Sequence, residues 1–255
     1  MKASNRTART AGILFLLTFA SAIAGAALYA PLLTDPDYLT GPGADTRILL
    51  GAVCELVLII TNIGTAVVLY PVLRRHSETA AVGYVAARIM ECALIAVGIL
   101  SVLTVVTLRQ SAGADAGEYL PVARALVAVH GWTFLLGPGF VVGIGNGLLL
   151  GFLMYRSHLV PRPMALFGLI GGPLMSLSGL AVLFGAYEQT SVPSALATFP
   201  EIIWEAFLGI YLTAVGFRRV RGNGAGGSGA GGNGLGDSGA GAVPGTATNR
   251  QTAEP

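Results

Sequence analysis

Six stretches of this chain, at about 11–33, 48–70, 83–108, 132–154, 164–186 and 199–217, are long and overwhelmingly apolar. No other feature limits the fold as severely. A helix rises about 1.5 Å per residue, so about 20 apolar residues cross a hydrocarbon core about 30 Å thick. Charged residues make up 11% of the chain and lie mostly in short islands between the runs, whereas a soluble domain carries about 25%. The expected fold is therefore all-α, a polytopic membrane bundle of six transmembrane helices whose first partner is the lipid bilayer. A net charge of +2 gives no sign of a nucleic-acid partner.

The islands also orient the chain. Lys2, Arg6 and Arg9 precede the first run, and Arg74 and Arg75 follow the second. Arg156 and Arg162 flank the link between the fourth and fifth, while Arg218, Arg219 and Arg221 follow the sixth. The alternate links hold only Arg47, Arg109 and Arg124. Basic residues gather in cytoplasmic loops near helix ends, so ten against three places both termini in the cytoplasm. The use of Arg over Lys, fourteen to one, with abundant Ala and Gly, points to a high-GC bacterium and so to the cytoplasmic (inner) membrane.

The expected organisation is a cytoplasmic N-terminus at 1–10, a six-helix domain at 11–221 and a glycine-rich cytoplasmic tail at 222–255. The first run, "AGILFLLTFASAIAGAALYAPLL", has a basic start and an A-x-A-like site at Ala22–Ala24. It is nevertheless longer than a signal-peptide core of about 7–15 residues, which favours a retained helix. The tail has almost nothing to bury and should be disordered. Cys54 and Cys92 fall inside predicted helices, where cysteines serve as small apolar fillers. The link from Arg109 to Gly131 ends in "YLPVARALVAVHGW". Its apolar character suggests an interfacial or re-entrant helix, broken from the fourth span by "GPG" at Gly137–Gly139, with Trp132 at the aromatic belt.

The fourth run is rich in glycine, a poor helix former in water by about 1 kcal/mol relative to Ala. Gly139, Gly143, Gly147 and Gly151 recur every four residues and so share one helical face. Helices in lipid associate through close contact, which small residues permit. The stripe reads as a groove for a neighbouring helix, with the fifth, carrying Gly168, Gly171, Gly172 and Gly179, as the natural partner. Pro138 suits a first helical turn. An unwound, ion-coordinating segment is the alternative reading.

"LLGPGFVVGIGNGLLLGFLMYRSHLVPRPMALFGLIGG" closely resembles a bacterial membrane family known as domain of unknown function 4386. "RTARTAGILFLLTFASAIAG", "LLGAVCELVLIITNIGTAVVLYPVLRRH" and "GYVAARIMECALIAVGILS" resemble its first three helices. The likeness runs from about Arg6 to Arg219 and implies a six-helix integral membrane protein. It carries no activity, substrate or cofactor with it.

Ionisable residues inside a span cost about 2.5–3.5 kcal/mol each on insertion scales and demand a reason. Glu55 lies in the second run, Arg88 and Glu91 in the third, and Glu205 in the sixth. Arg88 and Glu91 are three apart and share a face, and Asn62 follows Glu55 by seven. These five residues form a candidate polar seam. With every group ionised, three carboxylates against one guanidinium leave two negative charges unpaired, a physical opening for proton coupling. Glu201 stands apart: "TFPE" places Thr198 at an N-cap with Glu201 three on, the capping-box pattern, at the outer interface.

The leading functional reading is an integral membrane protein of unknown activity whose Glu/Arg seam serves a structural or interaction role. A small transporter or channel using the carboxylates is the rival, and an intramembrane enzyme ranks last. No catalytic, cofactor or metal site is identified, because His76, His130 and His158 lie in or near loops and no metalloprotease, nucleophile-elbow or phosphate-loop motif occurs. Oligomeric state, protein partner and substrate are left open.

Overall fold

The computed structural model describes residues 2–35, 38, 40, 41, 43–112 and 117–218. Arg219, Arg221 and the glycine-rich tail at 222–255 lie outside them. The described residues form helices and no strands. Six helices are long and apolar enough to cross a membrane: α1 (Lys2–Thr34), α2 (Asp45–Leu73), α3 (Glu78–Ala112), α4 (Gly117–Ser157), α5 (Arg162–Leu183) and α6 (Val192–Ala214). Several run past the apolar stretches that announced them, because a helix carries its ladder into the polar zone before a cap or turn stops it.

Local signals mark the ends. Asp45 and Glu78 sit in the first turns of α2 and α3, and Arg109 in the last turn of α3, each complementing the helix dipole. Prolines open α5 and α6, where a missing N–H costs nothing. Links 74–77 and 158–161 lie at one end of the bundle, here called proximal. Residues 35, 38, 40, 41, 43 and 44, with 184–191, lie at the other, distal end.

Arg109 ties the distal end together. Its Nη1 meets Asp45 Oδ2 at 2.8 Å, Nε donates to the Tyr38 carbonyl at 3.2 Å, and Nη2 donates to the Gly41 carbonyl at 3.0 Å. Tyr38 donates its hydroxyl to Asp45 at 2.9 Å. Burial, then the Asp45 carboxylate, push the Tyr38 hydroxyl's pKa up. Gly43 has φ 63°, and a Cβ there would strike the Arg109 guanidinium. Only glycine meets both demands.

The fourth helix departs from expectation. Tyr119–Trp132 is not a separate interfacial helix, and "GPG" breaks nothing. An α-helical segment, Leu120–Phe134, passes into π-helix at Leu135–Val141 and Gly143–Leu150 and returns to α-helix at Gly151–Ser157. Pro138 lies in the middle of the helix rather than in a first turn. In an α-helix its ring would collide with the carbonyl four residues back. The wider register, with Val142 N–H bonded to the Gly137 carbonyl, relieves that collision without ending the helix. Such π segments recur at functional sites.

The sixth helix also differs. It starts at Val192 with Ser191 as its N-cap residue, so Thr198 is interior and its hydroxyl donates back to the Ser194 carbonyl at 2.9 Å. Glu201 is therefore no capping-box residue but a buried one. Two apolar clusters close the bundle at its ends, one around Leu69, Tyr84, Leu153 and Trp204, the other around Tyr29, Ile48, Ile99 and Val102. The polar groups lie between them.

Candidate functional site

Arg88 is the hinge of the polar layer. Three residues before Glu91 on α3, it shares that residue's face, and its Nη1 meets Glu91 Oε2 at 2.8 Å. Asn62 of α2 completes the group, donating to Glu91 Oε1 at 2.8 Å and accepting from Arg88 Nη1 at 3.3 Å. The guanidinium lies 5.7 Å from the Phe15 ring centroid and 5.8 Å from that of Tyr84, contacts that favour a cation out of water. All three polar residues are buried.

Glu205 approaches from α6. Its Oε1 lies 3.9 Å from Arg88 Nη2 and accepts from Asn146 Nδ2. Asn146 comes from the second π segment of α4, where the Gly151 N–H bonds to Gly147 and Leu148. The Asn146 carbonyl accepts the Trp204 indole N–H at 3.0 Å, locking α4 to α6. Glu55 is not part of this cluster. It faces His130 of α4, with Oε1 4.0 Å from Nε2. His130 stacks near Phe134 at 6.4 Å and meets Tyr29 edge-on at 5.4 Å. His130 is thus buried inside a helix rather than near a loop.

Glu201, Asn146 and His130 are the residues that sequence reasoning missed. Glu201 precedes Glu205 by four, a spacing that puts both on one face and could have joined them. It is 2% exposed, and neither carboxylate oxygen has a hydrogen-bond partner. Glu55 Oε2 and the Arg88 Nε and Nη2 groups are likewise without hydrogen-bond partners.

These groups border a cavity of about 550 Å³ between α1, α4 and α6. Glu55, Arg88, Glu91, His130, Glu201 and Glu205 supply its polar wall, and Leu33, Gln189 and Thr190 place one end of it at the distal side. Phe134 and Ile202, which both line it, are 44% and 42% exposed. The cavity therefore reaches the bundle's surface beside these two apolar side chains, while charged groups line its interior. Among the described residues, no three His, Cys, Asp or Glu side chains are placed to hold a metal ion.

The glycine stripe of α4 faces α5 over three of its four positions. A Cβ at Gly143 would meet the Gly172 carbonyl and Ser176 of α5. One at Gly147 would meet Gly172 Cα, and one at Gly151 would come 3.0 Å from the Leu169 nitrogen. Gly139 does not share this contact: its nearest neighbours are Phe134 and Leu135 of its own helix, at 3.6 and 3.7 Å. The four-residue spacing assumes α-helical geometry, and the π segments alter the angular step between Gly139 and Gly143.

Six long apolar helices, with charges drawn into an interior layer, define a multi-pass helical membrane protein. The chain belongs to the family described as Domain of unknown function (DUF4386), whose model matches residues 10–216. No match was found among curated proteins or solved structures.

Proposed function

We propose that the protein is a small-molecule carrier of a bacterial cytoplasmic membrane, with both termini in the cytoplasm and the cavity as its binding site. The observation that carries this reading is the 550 Å³ cavity lined by the buried Glu201, neither of whose carboxylate oxygens has a hydrogen-bond partner, and by Glu55, whose Oε2 has none. A scaffold gains nothing from such groups, since each costs free energy in a low-dielectric interior. The Arg88–Glu91–Asn62 triad, joined through Arg88 Nη1 and the Asn62 amide, serves as the rigid floor. Glu55, Glu201 and Glu205 face the space where a ligand would sit. Ten basic residues flanking one set of links against three on the other support the orientation.

Cysteine accessibility tests it. In a background lacking Cys54 and Cys92, Thr198→Cys on the cavity wall should react with a membrane-impermeant thiol reagent from both faces of sealed vesicles. Ser157→Cys, in the buried core, should stay silent. Reaction from one face only would reduce the reading to a binding site without passage. Failure of Thr198→Cys to react from either face would overturn it.

A further inference from the structure

The cavity's chemistry narrows what it can hold. Its wall carries four carboxyl groups, from Glu55, Glu91, Glu201 and Glu205, and one guanidinium, from Arg88. The guanidinium is already committed, with Nη1 held by Glu91 and Asn62. An anion seeking the remaining Arg88 donors would sit beside Glu205, 3.9 Å from Nη2, in a cavity that Glu201 also lines, whereas a cation is attracted to both carboxylates. Unlike charges about 4 Å apart attract strongly wherever water is partly excluded.

Glu201 is the most telling group in this wall. Both its oxygens lack partners, though the side chain is almost wholly buried. Its position is also built with care: a methyl group at Gly147 would come 2.7 Å from Glu201 Oε2. Gly147 thus makes room for the carboxylate as well as for α5. Four residues on, Glu205 projects from the same face of α6 with its side chain 20% exposed. The same cavity is lined by Tyr29 and Phe134, aromatic rings of the kind whose faces attract a cation. The entrance, beside Phe134 and Ile202, is apolar.

We infer that the cavity takes an organic monocation with an apolar body, its charge seated against Glu201 and Glu205 and its body against Phe134, Tyr29 and Ile202. This rests on the cavity being a ligand site, as proposed above. An ammonium or phosphonium group supplies a countercharge to Glu201, whose oxygens have no partner, beside Glu205, which shares Arg88 with Glu91. The hydrocarbon body replaces water along the aromatic wall and lets the ligand enter through the lipid-facing mouth. A strongly hydrated inorganic cation would forfeit its shell there and leave the apolar wall uncovered.

The probes are tetraphenylphosphonium and tetraphenylborate, nearly the same shape with opposite charge. Binding to the full chain in uncharged detergent is measured by equilibrium dialysis against protein-free micelles. The phosphonium should bind saturably and the borate should show no protein-dependent binding. Glu201→Gln with Glu205→Gln should weaken phosphonium binding by about tenfold or more, the scale of a lost close charge at a partly hydrated site. Should that double variant not fold, Ile202→Trp at the mouth should block binding without touching a charge. Saturable borate binding that Ile202→Trp abolishes would overturn the monocation while leaving the cavity as a ligand site. Phosphonium binding unaffected by both changes would place the probe elsewhere and overturn the inference. Binding of neither probe would overturn it as well, and the vesicle labelling of Thr198→Cys then decides separately whether the carrier reading stands.

Discussion

The two sides of α4 are built on opposite principles. Toward α5, Gly143, Gly147 and Gly151 bring backbone against backbone, with no room for a methyl group. Toward α1, the same helix stands back and leaves about 550 Å³ beside α6, which it meets at Asn146 and Trp204. The first side shows how a membrane bundle holds together without a hydrophobic driving force between helices: dispersion contact at the closest range. The second shows where that cohesion is given up. Polar groups line the open side, and the closely packed side gives α4 a fixed support from which to present them. Asn146 serves both, being buried beside the stripe while its amide holds Glu205.

Substitutions at the two sides should separate them. The largest effect is expected from Gly147→Leu, which drives a side chain into Gly172 and Glu201 at once. It should abolish recovery of monodisperse protein in detergent, and normal yield would show that α4 and α5 do not pack as described. Next comes Arg88→Ala. Removing one partner of a buried ion pair costs about 3–5 kcal/mol, read as a lower denaturation midpoint. The double change Arg88→Met with Glu91→Leu removes both charges and should recover much of that loss. A double variant as unstable as Arg88→Ala would mean that the triad does more than balance its own charge.

Smaller effects should mark the open side. Ile202→Trp fills space at the cavity mouth, so its cost should stay within about 0.5 kcal/mol, the range of a surface substitution, while Thr198→Cys labelling in the same background slows. A large loss of stability would show that the mouth is closed by packing. Gly139→Ala is the smallest change. Its methyl group meets ordinary contacts at 3.6 and 3.7 Å, and melting should be unchanged within error. A clear destabilisation would extend the tight contact one step further along α4 than the geometry indicates.

The polar layer is partly legible in the amino-acid sequence. Arg88 and Glu91 are three apart on one helix, and that spacing alone suggests their pairing, seen at 2.8 Å. Asn62 lies on the Glu55 face by count, yet it bonds to Glu91 while Glu55 turns to His130. Seven residues make nearly two turns, so the two positions share a side of α2 but sit about 10 Å apart along its axis. Glu201 escapes a sequence reading for a different reason. The pattern Thr-x-x-Glu is indifferent to whether a helix has already begun, and here Ser191 and Pro193 begin it earlier. The glycine spacing misleads at Gly139 because it presumes 3.6 residues per turn, and the chain around Pro138 is wider.

Residue order alone dictates the medium, the number of long apolar helices and the presence of charges that need an interior. Those properties are local: hydropathy summed over about 20 residues decides whether a segment prefers lipid, and neighbouring helices do not alter the answer. Which charges meet, and which stay without a partner, is settled only when the helices pack. Asn146 and Glu205 are 59 residues apart, and their encounter depends on how α4 and α6 rotate about their axes and how far the π segments turn α4. Packing fixes those rotations, since in lipid every helix face is nearly equally soluble and only the fit of glycine against backbone selects among them. The cavity follows from the same cause, as the space left beside α1 when α4 closes on α5 and meets α6 at Asn146.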